Sequence, residues 1–246
     1  MRFNRETYAV EISDSILYVD NESRGRSGHM THAMVEFAPG KIIDFNSNCS
    51  AVKHAGHSTF GFVEYRISED GGETFSEIFE LPYSKKLFYD GIYNASVEKA
   101  VACDDGRIVA ICLRNSAINV CQPWDTPMVV TSDDGGITWS EVQPMPLPPA
   151  FACQAGTIFL PATQISPQTV LLSRVSRPEK ECRRDMEICA SFDGGKTFSA
   201  HLPLPQGDAT PGYSELCTPD GGGTVGLLHC HEGDVLFTRI PRTLLH

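Results

Sequence analysis

Ser68-Glu69-Asp70-Gly71-Gly72-Glu73-Thr74-Phe75 returns as Ser132-Asp133-Asp134-Gly135-Gly136-Ile137-Thr138-Trp139 and again as Ser191-Phe192-Asp193-Gly194-Gly195-Lys196-Thr197-Phe198. The copies start 64 and 59 residues apart, and fourteen positions after each serine stands a proline, Pro82, Pro146 or Pro205. Such a period marks a repeat architecture, with a unit of about sixty residues. The aspartate accepts hydrogen bonds from nearby backbone N–H groups and the glycine pair permits positive φ, so each box is a tight turn. Short β-favouring runs flank it: FGFVEYRI, PMVVT and MEICA before, TFSEIFEL, TWSEV and TFSAHL after. The box therefore joins two antiparallel strands.

A second hairpin lies upstream in each unit, with turns at Pro39-Gly40, Asp104-Asp105-Gly106 and Ser166-Pro167-Gln168. Four strands per unit follow. A fourth unit without a box starts at Tyr213 and reads YSELC, Asp220-Gly221, TVGLLHC and DVLFTRI, which is three strands. The expected outer partner of DVLFTRI is residues 8–20, where TYAVEI and SILYV precede the first unit. Helical periodicity is nowhere sustained, so the reading is all-β: one domain over 1–246, a β-propeller of four-stranded antiparallel blades, about four of them readable.

Composition narrows the partners. Twenty Lys and Arg against 31 Asp and Glu give a net charge of −11, spread along the chain, which argues against nucleic acid. Met1 to Asn21 is interrupted by polar residues and no later stretch reaches membrane-spanning length, so the expectation is a cytoplasmic protein without a membrane partner. The nine cysteines include no Cys-x-x-Cys pair. Cys112, Cys189 and Cys217 sit in apolar runs and are expected as small buried hydrophobes in the reduced state. No cofactor is expected, and the oligomeric state is left open.

The three boxes resemble the Asp box, Ser-x-Asp-x-Gly-x-Thr-Trp/Phe, of sialidases and related propellers. The resemblance implies a propeller, usually six-bladed, with the boxes on the rim opposite the active site. Tyr213-Ser214-Glu215-Leu216, then Asp220-Gly221 and Gly226-Leu227-Leu228, resembles the family segment that carries the nucleophilic tyrosine, which implies Tyr213 as nucleophile. Three departures accompany the match. Met30, in HMTHAM, falls where the family has the first of three arginines that grip the sugar carboxylate. The Asn46–Ser58 loop, where the acid/base aspartate is expected, contains no carboxylate, and the glutamate that activates the tyrosine has no counterpart identified here.

Blade topology sorts the remaining candidates. Arg114, in RIVAICLRN, and Arg174, in TVLLSR, are expected at the ends of second strands on the rim opposite the boxes, where guanidinium forks hold an acidic sugar. Loop charges facing solvent are the alternative. His29, His32, His54, His57, His229 and His231 fall on the same rim, and closure of the ring brings them beside Tyr213. Three readings of this patch stand: a hydrogen-bonded polar rim, a divalent-metal site, or substrate contacts at His29 and His54 with His32 replacing the lost acid/base. No metal is expected. The function read from these residues is a glycoside-hydrolase-like protein acting on a sialic acid or related acidic sugar, the alternative being a non-catalytic glycan- or protein-binding propeller.

Overall fold

The computed structural model describes residues 18–49, 61–81, 93–116, 127–141, 143–147, 155–179, 182–207 and 210–245. Among the described residues, fifteen strands form four antiparallel sheets, each a run of consecutive strands. Blade 1 holds β1 (Ser27–Ala38), β2 (Lys41–Cys49), β3 (Gly61–Ser68) and β4 (Phe79–Glu80). Blade 2 holds β5 (Tyr93–Ala102), β6 (Ile108–Ser116), β7 (Met128–Ser132) and β8 (Gln143–Pro144). Blade 3 holds β9 (Gly156–Leu160), β10 (Thr169–Glu179), β11 (Cys182–Ser191) and β12 (Ser199–Leu204). Blade 4 has three strands, β13 (Pro211–Cys217), β14 (Thr224–His231) and β15 (Asp234–Pro241), followed by a 3-10 turn, Arg242–Leu245. This is the all-β propeller expected from the repeat, with the fourth unit's three strands as read.

The boxes are hydrogen-bonded turns between third and fourth strands. In the second, Ser132 Oγ binds Asp134 Oδ1 at 2.8 Å and accepts the Gly136 N–H at 2.8 Å, while Asp134 accepts the Thr138 N–H at 2.8 Å and its hydroxyl at 2.5 Å. The first and third boxes repeat this net around Asp70 and Asp193. The Thr74 and Thr138 hydrogen bonds, chiefly from the hydroxyls, hold the Asp70 and Asp134 carboxyls down at about 2. At Asp193 burial pushes the other way, and the Thr197 and Ser191 bonds still leave the carboxyl lowered.

The glycine pairs of the second and third boxes also seat their blades on the one before. A Cβ on Gly136 would lie 2.8 Å from Ile43 Cδ1 of blade 1, and one on Gly195 would lie 2.6 Å from both methyls of Val109 of blade 2. In the first box the equivalent position is Gly72, where a Cβ would make only an ordinary contact, 3.8 Å from Ile42 Cδ1 of its own blade.

Strand alternation fills the space between blades. Ala33, Ile43, Phe45, Val63 and Tyr65 of blade 1 pack on Val97, Ile108, Ala110 and Val130 of blade 2. A second core joins Val109, Ile111 and Val129 to Val170, Leu172 and Cys189, and a third joins Leu171, Ile188 and Ala190 to Leu216, Val225, Leu227 and Ile240. Blade 1 packs on 2, 2 on 3 and 3 on 4, with no comparable packing of blade 4 on blade 1 among the described residues.

The two ends of this arc differ. On blade 1, Glu64 is buried and bonded by Arg24 and Arg26. On blade 4, Tyr213, Val235 and Phe237 are exposed.

Two expectations are modified here. Residues 8–17 of the expected outer strand lie outside the described residues. Their continuation at Tyr18 has no strand structure and rests on blade 1, its ring 4.8 Å from Phe75 and its carbonyl accepting from Arg66. Cys112 and Cys189 are buried as read, and burial pushes the Cys189 thiol up to about 12. Cys217 is exposed instead, on a side of blade 4 that no other blade covers among the described residues.

Candidate functional site

The first strands of the four blades, β1, β5, β9 and β13, pack in that order and form the inner wall. Three of them are irregular. The pairing slips in β1 between Ser27 and Thr31, in β5 between Val97 and Lys99, and in β13 between Pro211 and Ser214, whereas β9 keeps register throughout. Bulges re-aim side chains and are over-represented beside active sites.

Tyr213 stands in the β13 irregularity and is 55% exposed. From Gly212 onward burial alternates, placing Tyr213, Glu215 and Cys217 on one face while Ser214 and Leu216 point into blade 3. Ser214 is buried, and its hydroxyl lies 2.8 Å from that of the fully buried Ser173, which also accepts the Gly156 N–H at 3.0 Å. Gly156 has no room for a side chain, since a Cβ there would lie 2.7 to 2.8 Å from the backbone of Glu215 and Leu216. That close approach of β9 to β13 fixes the main chain beneath Tyr213.

Glu215 reaches across β9 to blade 2, where Lys99 Nζ donates to its Oε2 at 2.5 Å. Both side chains are partly exposed, 26% for Lys99 and 45% for Glu215. Tyr213, Ser214 and Glu215, with Leu228, His229, Cys230 and Val235, line an open depression of about 250 Å3 on the exposed flank of blade 4, which Lys99 does not itself line.

The other sequence candidates fall elsewhere. Arg174 is not at a strand end, because the β10–β11 ladder continues past it to Glu179 and Cys182. It is 4% exposed, and its Nε donates to Glu187 Oε1 at 2.7 Å. Removing one partner of such a buried pair alone costs about 3–5 kcal/mol, so this ion pair belongs to the packing of blade 3. Arg114 lies near the end of β6, opposite Ala95, and its side chain is outside the described residues. His32 is on β1, exposed, opposite Asn46 and within electrostatic reach of Asp44. His29 belongs to β1 by its backbone alone, and His54 and His57 lie outside the described residues.

His229 is buried with its ring toward the Cys230 carbonyl, and His231 bonds Gln206 of blade 3. The His229 and His231 rings lie edge to face, centroids 6.3 Å apart, while His32 stands on blade 1, which has no comparable packing on blade 4 among the described residues. No group of three or more His, Cys, Asp or Glu is gathered for a metal ion among the described residues.

Lys99, Glu215, Ser173 and Gly156 were not among the sequence candidates. Glu215 had a signal in alternation, since positions 213 and 215 of one strand share a face. The Lys99 partnership had none, being a contact between residues 116 apart.

Comparison with known proteins agrees with the fold. The BNR/Asp-box repeat family matches residues 130–141, within the second box unit. No curated protein matches the chain in sequence. Among solved structures, a leech intramolecular trans-sialidase is 19% identical with a TM-score of 0.58, covering 86% of this chain and 30% of its own. The NanB sialidase of Streptococcus pneumoniae is 15% identical, TM-score 0.56, covering 84% and 30%. The Penicillium chrysogenum α-L-arabinanase is 11% identical, TM-score 0.57, covering 87% and 57%. The chain thus spans from under a third to somewhat over half the length of these neighbours. The chain therefore carries a BNR/Asp-box repeat and has a propeller fold similar to that of these neighbours.

Proposed function

We propose that this propeller acts as a glycoside hydrolase on a sialic acid or related acidic sugar, with Tyr213 as nucleophile. The observation that carries the reading is the setting of Tyr213: exposed, in a strand irregularity of the inner wall, lining an open depression, with its main chain anchored through Ser214 and Gly156. The phenol oxygen bonds to the anomeric carbon as the bond from that carbon to the aglycone oxygen breaks, the phenol proton ending on the aglycone; water then takes the place of tyrosine on the sugar and returns a proton to the phenol. A neutral phenol suits an anomeric carbon that bears a carboxylate, since a carboxylate nucleophile is repelled there.

The test is Tyr213→Phe, assayed over a panel of acidic and neutral glycosides. Turnover falls about 1,000-fold or more while thermal stability and sugar affinity stay close to wild type, because one hydroxyl needed mainly in the transition state is removed. Unchanged turnover removes Tyr213 from the chemistry.

The second reading, a propeller that binds a glycan or protein without cleaving it, is favoured by the burial of Arg174 against Glu187. Sugar binding by wild-type protein with no turnover of any glycoside selects it.

A further inference from the structure

We propose that Lys99 is the cation that receives the ligand's carboxylate, and that Glu215 is a stand-in carboxylate that occupies Lys99 while the site is empty. The inference rests on the acidic-sugar reading above and names the residue that implements it.

An acidic sugar needs a cation on the inner wall beside Tyr213. Arg174 is committed to a buried pair with Glu187, which is only 12% exposed, so opening that pair strands a charge in the interior. Lys99 differs in each respect that matters. It follows the β5 register slip, and its ammonium reaches from blade 2 over Gly156 to the strand that carries Tyr213. Its partner Glu215 shares the face of Tyr213, lines the same depression and is nearly half exposed.

A carboxylate released from such a pair is solvated at once, so exchanging one carboxylate for another costs little. The Lys99–Glu215 contact also displays the recognition itself: a carboxylate oxygen sits 2.5 Å from Nζ, on a residue two positions along the strand from the proposed nucleophile. A lysine is a point charge without the planar fork of arginine, so it accepts a carboxylate in several orientations. No bond is made or broken in this step. Glu215 leaves the ammonium, the ligand's carboxylate takes its place, and the charge count around Nζ is unchanged.

The two partners make opposite predictions, which separates this role from a structural strut. Binding of N-acetylneuraminic acid and of its methyl ester is measured by calorimetry for wild type, Lys99→Met, Lys99→Arg and Glu215→Gln. Lys99→Met weakens the acid about tenfold and Lys99→Arg restores it, since a partly desolvated charge partner is lost and then replaced. Glu215→Gln tightens the acid about threefold, because an exposed internal competitor is removed. The methyl ester responds to neither change.

A strut predicts that both substitutions weaken acid and ester together, and that result overturns the proposal. Acid binding by wild type that is unaltered in all three variants overturns it while leaving the acidic-sugar reading intact. Absence of acid binding in wild type and in Glu215→Gln alike overturns both. Acid binding that emerges only in Glu215→Gln supports the proposal in its strongest form.

Discussion

The box rim and the inner wall are built by opposite rules. On the rim the same serine, aspartate, glycine pair and threonine recur three times with the same hydrogen bonds, and a box seats its blade wherever another precedes it. On the inner wall each first strand differs, three of four slip in register, and the residues that converge near Tyr213 come from blades 2, 3 and 4. Repetition here marks structure, because identical turns solve an identical packing problem. Irregularity marks the place where individual side chains are aimed.

The largest stability effect expected on the rim is at the third box. Gly195→Ala imposes a side chain at φ +84 and drives it into Val109, whereas Gly72→Ala, at the equivalent position of the first box, imposes the same kind of backbone strain, at φ +94, with only an ordinary contact at 3.8 Å. Left-handed strain costs about 1–2 kcal/mol and overpacking about 1–3 more, so Gly195→Ala is expected to lose about 2–5 kcal/mol and Gly72→Ala about 1–2. Denaturant unfolding of the two variants decides it. Equal losses mean that the boxes do not seat one blade on the next.

That difference between boxes is invisible in the sequence, since the copies read alike. What was legible follows from local chemistry: Asp and Gly-Gly specify the turn, alternation specifies the strand, and the period specifies the blade. The three-stranded fourth unit and the place of Tyr213 on a first strand were legible for the same reason. Arg174 was misplaced because strand length was taken from the apolar run TVLLSR, while the ladder continues through polar residues as far as Glu179 and Cys182. The apolar neighbours of Cys217 suggest burial, yet burial depends on what packs against that face of the sheet, which a local run of sequence does not specify. Lys99 and Gly156 were missed because a register slip and a close approach between strands are properties of packed blades and leave no local pattern.

A smaller effect is expected beneath Tyr213. Ser214→Ala deletes one member of the Ser173–Ser214 contact in a buried setting and should lose about 1–3 kcal/mol. Turnover should fall in the same variant because the main chain under the phenol loosens. The corresponding change on the rim, Ser132→Ala, should lower stability and leave turnover of the folded fraction untouched. Thermal unfolding and initial rates on both variants separate the two regions, and equal loss of turnover erases the distinction.

The smallest expected effect lies in the pH dependence of the rim. Asp134 has a folded carboxyl depressed to about 2 from an ordinary 3.8, chiefly by the Thr138 hydroxyl. A depressed carboxylate contributes stability that is fully present above the unfolded value and is lost as pH falls through the folded one. The stability gap between wild type and Asp134→Asn should therefore be widest near neutrality and narrow between about pH 4 and about pH 2. Parallel unfolding curves across that window, with a constant gap, contradict a role for the charged carboxylate.

The proposed role of Tyr213 as the reacting residue of the inner wall can be tested directly. The direct measurement is to trap the covalent intermediate with a fluorinated, activated acidic glycoside and map the adduct by peptide mass spectrometry. The expected result is a single sugar adduct on the tryptic peptide containing Tyr213, absent from Tyr213→Phe and unchanged in Asp134→Asn. An adduct on another residue, or continued turnover with no adduct on Tyr213, contradicts it.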